Sequence, residues 1–104
     1  MTAKIIIESE HLQIVENVLK KHLSAQAKVW AFGSRVKGNV KKFSDLDLAI
    51  DAEGNPLSLE LLADINYEFE ESDLPYKVDI VDWNTISQSF KNLITEDRIL
   101  IKRH

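Results

Sequence analysis

A Gly-Ser pair and three carboxylates carry the chemistry this sequence offers: Gly33-Ser34, then Asp45-Leu46-Asp47-Leu48, then Asp79 between Val78 and Ile80. Two aspartates two residues apart on a strand share one face, with Cα atoms roughly 6.7 Å apart. If their oxygens approached within about 5 Å, the repulsion at an effective dielectric near 20 would be roughly 3 kcal/mol. A divalent cation reverses that sign. Oxygen-only donors favour a hard ion, Mg2+ or Mn2+, and such ions commonly take substrate phosphates as further ligands. Asp79 lies inside an apolar strand, where a carboxylate is costly unless paired or metal-bound.

Gly33-Ser34 supplies the complementary half. It follows the apolar run Val29 to Phe32 and opens a short segment carrying Arg35 and Lys37, so it reads as a strand running into a helix start. Gly33 lets a ligand approach the backbone, Ser34 can cap the helix or bond a phosphate oxygen, and unpaired first-turn amides favour anions. A phosphate cradle beside a hard-metal site implies chemistry on a nucleoside triphosphate.

The elements that must position these residues follow from periodicity and turn signals. After a short apolar entry, Lys4 to Ile7, Ser9 reads as the cap of an amphipathic helix. Its apolar residues Leu12, Val15, Val18, Leu19 and Leu23 recur at helical spacing to about Ala25. Lys28 to Phe32 is the first strand, Ser34 to about Lys37 a helical turn stopped by Gly38-Asn39, and Leu46 to Asp51 the second strand. The ten residues 35–44 are fewer than a parallel crossover normally needs, so these two strands are expected to be antiparallel. That topology lays Gly33-Ser34 beside Asp45 and Asp47.

Gly54-Asn55-Pro56 is a turn, and Leu57, Leu59, Leu61, Leu62, Ile65 and Phe69 mark a second amphipathic helix that ends before Pro75. Tyr76 to Asp82 is the third strand. The helix between strands two and three makes a right-handed parallel crossover, which brings Asp79 near Asp45 and Asp47. Asp82, at the strand end, is expected to be solvated or capping. Trp83-Asn84-Thr85 leads into a last helix with Ile86, Phe90, Leu93 and Ile94 inward, and Ile99 to Ile101 extends the helix or forms a short strand. The expected fold is α/β (α+β): a small mixed three-stranded sheet packed against helices, in the order αβαβαβα.

Composition narrows the functional classes. With 104 residues the chain is one domain, residues 1–104, and 44% hydrophobic content is ordinary for a globular core. The absence of cysteine excludes disulfides, zinc-thiolate sites and thiol catalysis, and three scattered histidines offer no ligand pattern. No leader and no membrane-length apolar run is seen, so a cytoplasmic protein is expected. A net charge of −4 argues against extended nucleic-acid binding. Arg35, Lys37, Lys41 and Lys42 nevertheless cluster beside the phosphate site, which suits a small polyanion.

Taken together and in this order, Gly33-Ser34, Asp45-Leu46-Asp47-Leu48 and Val78-Asp79-Ile80 resemble the minimal nucleotidyltransferases of the DNA polymerase beta-like superfamily. The resemblance implies that Asp45 and Asp47 bind two divalent ions, Mg2+ or Mn2+. Asp79 would hold the catalytic one and help deprotonate the acceptor hydroxyl. It implies ATP as donor, with Gly33 and Ser34 at its terminal phosphates and Arg35 and Lys37 adding charge. Gly33 to Gly38 reads Gly-Ser-Arg-Val-Lys-Gly where many members have Gly-Ser-Arg-Ala-Arg-Gly, so Lys37 keeps the charge without arginine's fork.

Short chains of this kind are similar to the antitoxins of two-gene pairs. Their partner is a helical HEPN-domain ribonuclease, silenced by adenylyl transfer to one of its tyrosines. The implied function is therefore a protein adenylyltransferase in a hetero-oligomer with that partner. Two alternatives stand beside it: an antitoxin that neutralises by contact alone, and a transferase acting on a small hydroxylated molecule such as an aminoglycoside with the help of a partner subunit.

Overall fold

The computed structural model describes residues 5–38 and 40–102. Lys4, the Asn39 half of the helix stop and His104 lie outside the described residues. Four helices and four strands alternate: α1 (Ser9–His22), β1 (Lys28–Phe32), α2 (Ser34–Lys37), β2 (Leu46–Asp51), α3 (Leu59–Glu70), β3 (Val78–Asp82), α4 (Gln88–Asp97) and β4 (Ile99–Lys102). The sheet is mixed, in the order β3-β2-β1-β4.

The expected three-stranded sheet is thus corrected to four strands, and the order to αβαβαβαβ. Ile99-Leu100-Ile101 is a strand rather than a helix extension, because it runs antiparallel along the free edge of β1, with Leu100 opposite Trp30 and Ile99 opposite Ala31. Four residues cannot show alternation clearly enough to be separated from the end of a helix by pattern alone.

As expected, β1 and β2 are antiparallel, with Phe32 opposite Asp47. The α3 crossover makes β2 and β3 parallel, with Leu46 opposite Val78 and Asp47 opposite Asp79. Alternation then sorts the sheet into two faces. Val29, Ala31, Leu46, Leu48, Ile50 and Val78 join Val15, Val18 and Leu19 of α1 and Ile65 and Phe69 of α3 in the main core. On the other face Trp30 and Ala49 pack with Ile94 of α4, flanked by Phe32, Trp83 and Ile86.

Helix ends correct several expectations. Glu8, not Ser9, occupies the cap of α1 and makes no side-chain cap bond; its carboxylate pairs with His11 at 3.3 Å. The helix stops at His22, three residues short of Ala25. Ser58 caps α3 by accepting from the Leu61 amide at 3.0 Å, which leaves Leu59 in the first turn 86% exposed. Tyr76 and Lys77 precede β3. In α4 the Ser87 hydroxyl accepts from the Phe90 amide, placing Ile86 before the helix. Only Ile94 of that helix is buried, while Leu93 is 61% exposed. Asp82, expected to be solvated or capping, is half-buried and caps no helix; it ties two loops together, accepting from the Leu57 amide at 2.8 Å and the Asn84 amide at 3.2 Å.

Candidate active site

Asp47 and Asp79 stand opposite each other on adjacent parallel strands and share the α4 side of the sheet, because their neighbours Leu46, Leu48 and Val78 fill the core on the other side. Asp45 lies just ahead of β2, exposed. The apolar residues of Asp-Leu-Asp-Leu anchor the strand, and their alternation aims the acidic ones the other way. Asp47 is half-buried. Its carboxyl is pushed up to about 6 from the ordinary 3.8, first by desolvation, then by the negative charges of Asp79 and Asp45. The three carboxylates therefore act on one another electrically.

Gly33 closes the site from the β1 side. Its φ of 81° belongs to a region that side chains seldom adopt, and a Cβ there would overlap the Asp47 carboxylate, with Cγ at 3.2 Å. Gly33 also holds the cap position of α2, where its carbonyl accepts from the Val36 and Lys37 amides at 3.0 and 3.1 Å. Ser34 is thus the first residue of the turn and not its cap. The two halves of the site expected from sequence are in direct contact, through Gly33 and Asp47.

Arg35 is placed differently from the expectation. It is only 5% exposed and points away from the aspartates into the loop behind them. Its Nε donates to the Ser44 carbonyl at 2.9 Å, Nη1 to Ile6 at 2.9 Å and Nη2 to Lys42 at 3.3 Å, while the guanidinium lies 3.9 Å over the Tyr76 ring. Those bonds fix the turn that delivers Asp45, in which Ser44 Oγ accepts from the Lys41 amide. A charge satisfied this way serves the scaffold. Lys37 remains at the surface beside Gly33, with Nζ 3.7 Å from Asp97 of α4.

Two features escaped the sequence. A cleft of about 240 Å3 opens beside Gly33, lined by Phe32, Lys37, Phe90, Leu93, Ile94 and Asp97. The exposure of Phe90 and Leu93 along it depends on how α4 is rotated, which composition does not specify. The second is Lys77, whose Nζ lies 3.1 Å from Asp79 Oδ1; period-two alternation from Asp79 would have found it. A larger cavity of about 590 Å3, bounded by Arg35, Tyr76, His11 and Phe43, contains none of the three aspartates.

A divalent ion fits this donor set in kind. All three groups are carboxylates, they repel one another, and desolvation raises the cost of leaving Asp47 charged and uncompensated. Among the described residues no three acidic or histidine side chains already converge on one point. The groups are aligned side by side, with Asp79 engaged by Lys77.

A mixed sheet that places paired aspartates next to a third on the neighbouring strand, with a glycine turn against them, defines a nucleotidyltransferase. Residues 13–104 match the family model described as Polymerase beta, Nucleotidyltransferase, and the chain belongs to that family. It is 46% identical over 100 residues to the Probable protein adenylyltransferase MntA of Haemophilus influenzae, covering 96% of this chain and 86% of that protein. Among solved structures, a toxin-antitoxin with AMP-PNP superposes with a TM-score of 0.75 at 18% identity, over 89% of this chain and 73% of the other. The toxin-antitoxin MntA-HepT superposes at 0.70 with 15% identity, over 93% and 74%. These structural likenesses establish the nucleotidyltransferase fold.

Proposed function

We propose that this chain transfers an adenylyl group from ATP to a hydroxyl of a partner protein, a tyrosine of a helical HEPN-type toxin, and so acts in the cytoplasm as its antitoxin. The observation that carries the reading is the contact of Gly33 with the Asp47 carboxylate, opposite Asp79. It joins a phosphate-approach backbone to an acidic cluster. The relative MntA, a probable protein adenylyltransferase, and the toxin-antitoxin assemblies of the same fold support the choice of donor and partner.

In this reading Gly33 and Ser34 hold the terminal phosphates, and Lys37, released from Asp97, adds charge beside them. Asp45, Asp47 and Asp79 would hold Mg2+ or Mn2+, which supplies charge neutralisation at the phosphates and Lewis acidity at phosphorus. Asp79, on the outermost strand, is where the acceptor hydroxyl approaches and gives up its proton. A new bond forms from the acceptor oxygen to the α-phosphorus, the bond to the pyrophosphate oxygen breaks, and pyrophosphate leaves. Arg35 contributes from behind by holding the turn ahead of Asp45.

The exposed Phe43, Phe90 and Leu93 favour a second reading, neutralisation of the partner by contact alone. Mass spectrometry of the neighbouring gene product after incubation with ATP and Mg2+ separates the two. Catalysis predicts an adenylyl adduct that is absent with Asp45→Ala and Asp47→Ala. Inhibition that persists in those variants without an adduct supports contact alone.

A further inference from the structure

Asp79 has a positive companion of its own. Lys77 Nζ lies 3.1 Å from Asp79 Oδ1, both residues belong to the outermost strand side of the sheet, and the Lys77 ammonium also feels Asp45. The Lys77 carbonyl accepts from the Leu46 amide at 2.9 Å, which pins the lysine backbone beside the start of β2. The side chain is 72% exposed, and Asp79 is its ion-pair partner. A cluster of three carboxylates thus contains one tethered cation.

We propose that Lys77 is a built-in counter-ion of Asp79: it holds the third carboxylate in the metal-free protein and is displaced when a divalent cation loads. The inference rests on the metal-nucleotide reading of the site. A hard ion takes carboxylate oxygens at roughly 2.0–2.6 Å, depending on the ion, and carries two positive charges. An ammonium within hydrogen-bond reach of the same carboxylate is repelled as that ion arrives. The lysine can leave easily, because its stem is flexible and its head returns to water. Lys77 is therefore a positioning residue that acts through Asp79, and it sets how readily the third carboxylate joins the other two.

Competitive acetylation of amines, read by mass spectrometry on the whole chain with and without Mg2+ alone, tests this directly. An exposed ion pair of this kind protects its amine by about two- to fivefold. Lys77 labelling should rise by that factor on adding Mg2+, while Lys20 and Lys28 stay constant as internal references. In Asp79→Asn it should already be high and indifferent to Mg2+. Lys77→Met should bind Mn2+ more tightly by a similar factor, measured as free Mn2+ by electron paramagnetic resonance, and Lys77→Arg should restore wild-type binding. Unchanged Lys77 labelling in samples whose melting temperature Mg2+ raises would overturn the counter-ion role and leave the metal site standing. No thermal response to Mg2+ or Mn2+ would overturn both.

Discussion

Gly33 packs against Asp47 so closely that a single added carbon would overlap the carboxylate. This contact ties the Gly-Ser turn to the Asp-Leu-Asp strand: the absence of a side chain at Gly33 is what leaves room for the acid. Gly33→Ala therefore combines a strained φ with a clash, whereas Gly54→Ala has a similar φ of 81° with nothing within 4 Å. We expect Gly54→Ala to cost about 1 kcal/mol and Gly33→Ala about 2–4 kcal/mol in urea unfolding. Equal losses would show that the clash is relieved cheaply.

The raised pKa of Asp47 makes stability pH-dependent in a defined direction. A carboxyl at about 6 in the fold and 3.8 in the open chain contributes stability below pH 4 that is lost as pH rises through 6. Asp47→Asn lacks that loss. The metal-free variant should match wild type near pH 4 and exceed it by about 1–3 kcal/mol at pH 7.5, as read from paired denaturation curves. A difference that stays flat with pH would show that Asp47 is not destabilised by burial and its neighbours.

Arg35 separates scaffold from site. Replacing it with lysine removes the fork that bonds the carbonyls of Ser44, Ile6 and Lys42. The expected loss is about 2 kcal/mol or more in unfolding free energy. A variant of unchanged stability but weakened ATP binding would return Arg35 to the phosphate site.

In α4 the burial of Ile94 and exposure of Leu93 predict opposite sensitivities one residue apart. Ile94→Ala should cost about 2–4 kcal/mol and Leu93→Ala less than about 0.5 kcal/mol by denaturant unfolding. Similar losses at both positions would mean that the helix is rotated from the orientation described.

Much of this was legible because alternation and loop length are strong constraints. The thirteen residues between β1 and β2 hold only the four-residue α2 and β2 returns antiparallel, whereas the twelve-residue α3 carries β3 parallel, so Gly33, Asp47 and Asp79 meet as the spacing suggests. What failed depended on tertiary context. The sequence shows Arg35 as a charge beside a glycine turn, and only the fold reveals three carbonyls and the Tyr76 ring waiting for it. Leu93 and Ile94 are equally apolar, so the rotation of α4 was not readable from them. β4 was too short to betray its period.

We propose that Asp45, Asp47 and Asp79 form one metal-nucleotide site with Gly33-Ser34. Thermal unfolding with Mg2+ or Mn2+ and ATP, compared between wild type and Asp47→Asn, tests it most directly. A shared site gives a clear rise in melting temperature for wild type that vanishes in the variant. An equal rise in both proteins, or none in wild type, would contradict it.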